Sequence, residues 1–291
     1  MGKTLYMECN AGISGDMTVA ALLDLGADKL VLENVLKSIP IQGFEVKLSR
    51  VKKSGIDCMD FSVELAEGYE NHDHDMKYLH GGNISGEEQH DHEHYHVHEE
   101  RHDQAQPHCH EHRGIKEIFD ILERTDMTDG AKKIAKRIFE ILAEAEAKAH
   151  GTTVENVHFH EVGAIDSIVD ITAAAVCFDN LGISEVIVPK VCEGTGTIRC
   201  AHGILPVPVP ATANIMSRYH LPVEFIEIQG EFVTPTGAAI LAAVMTSEHL
   251  KKGFKIQKIG NGAGKRTYER PSILRMMLIE TEDVNVLEDT V

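Results

Sequence analysis

Hydrophobic and polar residues alternate over residues 3–9, which predicts a strand. From Ser14 the period lengthens. Met17, Ala20, Ala21 and Leu23 share one face of a helix that Gly26 should stop. A second helix is predicted from Asp28 to about Ser38, ahead of Pro40. Phe44, Val46 and Leu48, then Phe61, Val63 and Leu65, alternate with polar neighbours and predict strands over 43–53 and 56–66, with Gly55 near the turn. Over 70–112 apolar periodicity all but vanishes. It returns with Ile115, Ile118, Phe119 and Leu122 in a short helix, and with Ile134, Ile138, Ile141, Leu142 and Ala145 in a longer one over about 129–149, ended by Gly151. Ile168, Ile171, Ala175 and Phe178 predict a third, over about 165–181. Pro206-Val207-Pro208-Val209-Pro210 should be extended, with Pro210 pre-setting the first turn of a helix through Arg218. Two short strands near 223–233, a helix from about 237 and two last strands near 254–261 and 272–280 complete the pattern. Strands and helices mix without a βαβ rhythm or an internal repeat. The predicted fold class is α+β with a mixed sheet and packed helices. Residues 1–69 and 113–280 should form one core, with 70–112 inserted and 281–291 a tail.

Composition narrows the function classes. The chain has 291 residues, 43% of them hydrophobic, enough for a sizeable core, which must be aliphatic because aromatics are 5% and Trp is absent. A net charge of −18 argues against nucleic-acid partners, which need Lys and Arg to displace counterions, and suits cations. No apolar run approaches the ~20 residues that span a bilayer. Residues 1–8 lack the apolar stretch of a signal peptide, so a cytoplasmic protein with no membrane partner is predicted. The cysteines Cys9, Cys58, Cys109, Cys177, Cys192 and Cys200 include no C-x-x-C pair and should be free thiols.

The segment 70–112 has its own chemistry. It holds twelve of the 18 histidines and carries a net nine negative charges, half of the chain's total. Such a segment cannot offset its ordering entropy by burial, and a disordered insertion is predicted. His90, His92, His94, His96 and His98 alternate strictly, and His108, His110 and His112 follow. Imidazoles at this density bind divalent first-row metals, Ni and Cu ahead of Mn and Fe. Loose storage or delivery fits better than catalysis, which needs a precisely held ligand shell. The bland alternative is a solvated loop that binds metal incidentally.

Four short patterns could carry chemistry. His158-Phe159-His160-Glu161 precedes Asp166 and Asp170. The two histidines share one side of an extended segment, and the two aspartates are i,i+4 neighbours on a helix. Their repulsion is relieved by water or by a cation, and imidazole with carboxylate suits Ni, Zn or Fe. The competing reading makes Asp166 a helix cap, Asp170 solvated and one histidine buried. Asn10–Met17 is a small-residue loop between strand and helix, where free amides make an anion site. Ser14 there is a cap or a phosphate ligand, Gly15 allows close approach, and Asp16 is helix electrostatics or a metal ligand. Thr234-Pro235-Thr236-Gly237 repeats that logic, with Thr236 as the expected N-cap. Gly260–Arg266 is a third small-residue loop, in which Gly262, Gly264, Lys265 and Arg266 suit a phosphate or simply form a wide hairpin with two solvated cations.

Taken in order, these stretches resemble the LarC nickel-insertion family. Tyr6-Met7-Glu8-Cys9 with Gly12–Met17 is similar to its opening, and His158–Asp170 to its central signature. Pro206–Thr212, Thr234–Ala239 and Gly262–Gly264 complete the match, which runs from about 3 to 280. The resemblance implies a lyase-class cyclometallase. It inserts Ni2+ into pyridinium-3,5-bisthiocarboxylic acid mononucleotide to make the nickel-pincer cofactor of lactate racemase. It uses CTP with Mg2+ or Mn2+, at a site expected outside this chain, because the family's CTP-binding domain should begin soon after Glu280. Implied partners are that C-terminal portion, lactate racemase or other enzymes of the cofactor pathway, and a second copy of the chain. Glu8 stands where the family is expected to carry Asp. For this chemistry the small-residue loops offer an anion cradle. His158, His160, Asp166 and Asp170 offer metal ligands, and Asp16 or Glu161 offers a base. Two other classes compete: nickel storage without catalysis, and metal-dependent hydrolysis of a phosphorylated substrate.

Overall fold

The computed structural model describes residues 2–66, 113–157, 165–200, 202–250 and 252–281. The His-rich insertion 70–112 and the tail beyond 281 lie outside them. Strand β1 (Lys3–Glu8) lies inside a mixed sheet of six, in the order β2 (Phe44–Lys53), β3 (Ile56–Leu65), β9 (Phe254–Ala263), β10 (Ile273–Thr281), β1, β4 (Ile183–Ile187). β1 runs antiparallel to β10 and parallel to β4, and β9 pairs antiparallel with β10 and parallel with β3. The α+β class with a mixed sheet is thus observed. Residues 223–233 hold one strand, β8 (Val223–Gln229), where two were expected, and Val233 keeps only an isolated bridge to Ile13. β8 pairs with β5 (Val191–Thr195), and β6 (Thr197–Cys200) forms a hairpin with β7 (Gly203–Pro206).

Two helices are buried nearly all round, as a helix apolar on every side must be. They are α1 (Gly15–Leu25) and α5 (Ile165–Leu181). The others are α2 (Lys29–Ser38), α3 (Ile115–Arg124), α4 (Asp129–His150), α6 (Pro210–Arg218) and α7 (Pro235–Val244). Gly26 ends α1 in the left-handed region at φ 108°, where glycine avoids strain. The side chain that caps α7 is Thr234, not Thr236: its hydroxyl accepts from the Gly237 amide at 3.1 Å. The first helical residue, Pro235, has no amide to offer, so the cap falls one residue before it. The described cysteines are free thiols. No helix among the described residues is long and apolar enough to cross a membrane.

Helix α1 lies directly on β9, and the glycines of that strand make this possible. A Cβ on Gly262 would stand 2.1 Å from the Met17 carbonyl oxygen and 2.6 Å from the Ala21 nitrogen. One on Gly260 would stand 2.3 Å from the Ala21 carbonyl oxygen. These are backbone atoms of a buried helix and cannot swing away. Gly262→Ala is therefore expected to destabilise the fold by about 1–3 kcal/mol, the range for overpacking a close-packed core. The midpoint of urea unfolding measures it.

Candidate functional site

Two helix N-termini meet beside the end of β1, and the second turn of a third helix lies against them. The chain leaves β1 through Asn10–Ile13 and enters α1 at Ser14. The 230–234 segment runs alongside, with the Ile13 amide donating to the Phe232 carbonyl at 3.0 Å and the Thr234 amide to the Ile13 carbonyl at 3.1 Å. This seats the start of α7 on the start of α1: a Cβ on Gly237 would lie 2.1 Å from the Ile13 carbonyl oxygen and 3.0 Å from the Ser14 nitrogen. The first turns of α5 close the third side. A Cβ on Gly15 would lie 2.5 Å from Asp170 Oδ2, so only glycine fits there. Helix N-termini carry partial positive charge and free amides, and their convergence favours anions.

The acids at this junction are Asp16, Asp166 and Asp170. Asp16 accepts hydrogen bonds from the Ser14 hydroxyl and, at 2.8 Å, from the Met17 amide. Asp170 accepts from the Asp16 amide. Both carboxyl groups are densely surrounded by protein yet keep some accessible surface. Burial pushes the Asp16 carboxyl above its ordinary range, with Asp60 adding to the rise, while Ser14, Lys265 and the Met17 amide oppose it. Asp170 is driven well above its ordinary range by burial first, then by the negative charges of Asp16 and Asp166, with Lys265 in partial opposition. Lys265 is paired with Asp60. The junction holds more negative charge than its surroundings neutralise, and a proton or a cation completes it.

The remaining predicted residues divide. Ser14, Gly15, Thr234, Thr236, Gly237 and Lys265 are at the junction or on the elements that form it. Gly262 is committed to α1, and a Cβ on Gly264 would lie 2.2 Å from Ser272 Oγ and 2.9 Å from Met17 Sδ. Arg266 is engaged with Glu231. Its guanidinium meets Glu231 Oε2 at 2.7 Å and donates to the Glu231 carbonyl at 2.7 Å, and both side chains are largely buried. Burial works against that charge, but Glu231 and Tyr268 hold the guanidinium above its ordinary value. The expected start of α5 by about 166 is observed at Ile165. His158, His160 and Glu161 lie outside the described residues, and among those described no three His, Cys, Asp or Glu side chains already converge as a metal site.

Sequence reasoning missed Glu193, which is fully buried on β5. Its Oε1 accepts from the amides of Gly194 at 2.7 Å, Phe232 at 2.8 Å and Val233 at 3.3 Å, which fixes the segment against which Ile13 lies. Oε2 has no hydrogen-bond partner among the described residues. Burial raises this carboxyl to about 7, against the lowering effect of the three amides. The signal was a single acid inside the run Val191-Cys192-Glu193-Gly194; the cation nearest in sequence, Lys190, pairs with Glu224 instead.

A cluster of acids where helix starts meet in an α+β core suits a class of proteins that handle cations or phosphorylated ligands. The chain belongs to the nickel insertion protein family, whose profile matches residues 5–291. It is similar to three proteins named pyridinium-3,5-bisthiocarboxylic acid mononucleotide nickel insertion protein. The one from Alkaliphilus metalliredigens is 46% identical over 96% of this chain and 61% of its own length. Those from Clostridium acetobutylicum and Staphylococcus epidermidis are 43% and 35% identical, over 99% and 97% of this chain and 66% and 60% of their lengths. The chain thus spans about three-fifths of the length of these relatives. No solved structure matches it.

Proposed function

We propose that this chain takes part in inserting nickel into pyridinium-3,5-bisthiocarboxylic acid mononucleotide, to form the nickel-pincer cofactor of lactate racemase. The reaction would depend on CTP with Mg2+ or Mn2+, held by the C-terminal portion of the family protein. The observation that carries this reading is the meeting of Asp16 and Asp170 at Gly15, beside the N-termini of α1 and α7. The substrate has a phosphate, two soft thiocarboxylates and an aromatic C–H that must lose its proton. The helix ends with Ser14, Gly15, Thr236, Gly237 and Lys265 suit the phosphate. Thr234 holds α7 in place, while Gly262, Gly264 and Arg266 belong to the frame.

Nickel, as substrate, would meet Asp166 and Asp170 with His158 and His160, after loose capture by the 70–112 histidines. Asp16, or Glu161 in the same stretch as the histidines, would take the ring proton: a buried carboxylate with a raised pKa is a stronger base than a solvated one. In this reading the protein is a cytoplasmic lyase.

Lys265→Ala should raise the half-saturating mononucleotide concentration about tenfold or more, the scale of one charge-assisted hydrogen bond, and leave the rate at saturation nearly unchanged. An unchanged half-saturating concentration would remove Lys265 from the phosphate site. Storage without catalysis and phosphate-ester hydrolysis are the competing outcomes, read as bound nickel without product or as phosphate released without nickel.

A further inference from the structure

We infer that Glu146, His150 and His202 form a second, exchangeable site for a divalent first-row transition ion. Glu146 and His150 are one helical turn apart on α4 and share a face. His150 Nε2 lies 3.5 Å from Glu146 Oε2. His202, from the turn between β6 and β7, brings its ring to 5.0 Å from the His150 ring, centroid to centroid, at an interplanar angle of 46°. Two imidazoles that share an ion with bonds of about 2.0–2.1 Å have centroids roughly 5 Å apart and tilted rather than stacked, so the two rings are spaced for a shared ion, although the three side chains do not already converge on one point.

Three further features point to a cation. Glu146 is mostly buried, and a carboxylate taken out of water calls for a positive partner. His150 is the last residue of α4, and Gly151 caps the helix in the left-handed region at φ 63°, so the ion would sit at the negative end of a helix of 22 residues. His202 is exposed and is followed by Gly203 at φ 95°, in a turn through which its ring can be brought onto the set. Two nitrogens and one oxygen form a borderline ligand set that favours Ni2+, Cu2+ or Zn2+ over Mg2+ or Ca2+, and the remaining positions stay open to solvent. That is the arrangement of an ion in transit rather than of a structural knot.

The test is residue-by-residue modification of the full chain by diethyl pyrocarbonate, read by mass spectrometry with and without Ni2+, and again with Zn2+. The metal should slow modification of His150 and His202 together by about tenfold, because a coordinated nitrogen has no lone pair to offer. The exposed His220 and His249 serve as internal references and should not change. Glu146→Gln should raise the metal concentration needed for protection about tenfold, and His202→Ala should abolish protection at His150. Equal modification of His150 and His202 with and without saturating metal would overturn the site. So would protection of His150 that survives both substitutions. Neither outcome depends on the 70–112 histidines or on cofactor formation, so this inference and the proposed function fail separately.

Discussion

Asp170→Asn is expected to make the metal-free protein more stable and to abolish nickel insertion. The folded state holds this carboxyl well above its ordinary range, through burial and the charges of Asp16 and Asp166. A group with a raised folded pKa binds its proton more tightly folded than unfolded. Stability is then full below the unfolded value of about 4 and falls as pH rises toward the folded pKa. At neutral pH the native protein thus carries an electrostatic cost that the uncharged amide removes. The expected gain is roughly 0.5–2 kcal/mol, the usual scale when a strained functional site is relieved. The unfolding temperature should rise by a few degrees, and the decline of stability as pH rises above about 4 should flatten. Product formation should fall by about 100-fold or more if this carboxylate holds the metal or supports the base. Loss of both stability and activity would make Asp170 part of the scaffold instead.

The second large effect concerns Arg266. Arg266→Met should cost about 3–5 kcal/mol, because it leaves the Glu231 carboxylate buried with its cationic partner gone. Glu231 is 6% exposed. Tyr268 also loses a neighbour: its hydroxyl donates to the Glu231 carbonyl at 2.7 Å, and its ring stacks on Phe232 at 4.3 Å. Adding Glu231→Leu to Arg266→Met should recover much of the loss, since the pair together is worth far less than either charge alone in the core. Urea unfolding of the two single variants and the double variant gives the coupling directly. A cost under about 1 kcal/mol for Arg266→Met, the scale of an exposed ion pair, would mean that water reaches the site and that Arg266 is free to serve a ligand.

The sequence exposed the elements whose packing follows a period. Helix α5 is found at 165–181, as Ile168, Ile171, Ala175 and Phe178 required, and β9 and β10 lie within two residues of their expected bounds. The junction of Gly15, Asp16 and Asp170 was also visible as separate motifs, because helix starts rich in small residues and acids are local signals. The strands from Ile183 to Pro206 were not visible. They are four or five residues long, too short for alternation to register, and β5 is buried at four consecutive positions. Burial on both faces erases the polar–apolar rhythm. Long-range pairs were equally hidden. Nothing in the sequence joins Glu231 to Arg266, Glu193 to the Phe232 amide, or His150 to His202. The glycines of β9 looked like a ligand loop because sequence shows their freedom and not the helix that lies against them.

The measurement closest to the central claim is direct insertion in solution. The full chain is mixed with the C-terminal portion of the family protein, CTP, Mg2+, Ni2+ and the purified mononucleotide, and the small molecule is followed by mass spectrometry and absorbance. The expected result is a species containing one nickel, formed with loss of the ring proton, that appears with this chain and not with its Asp170→Asn variant. Nickel bound by the protein while the mononucleotide keeps its original mass would contradict the account and leave a nickel store in its place.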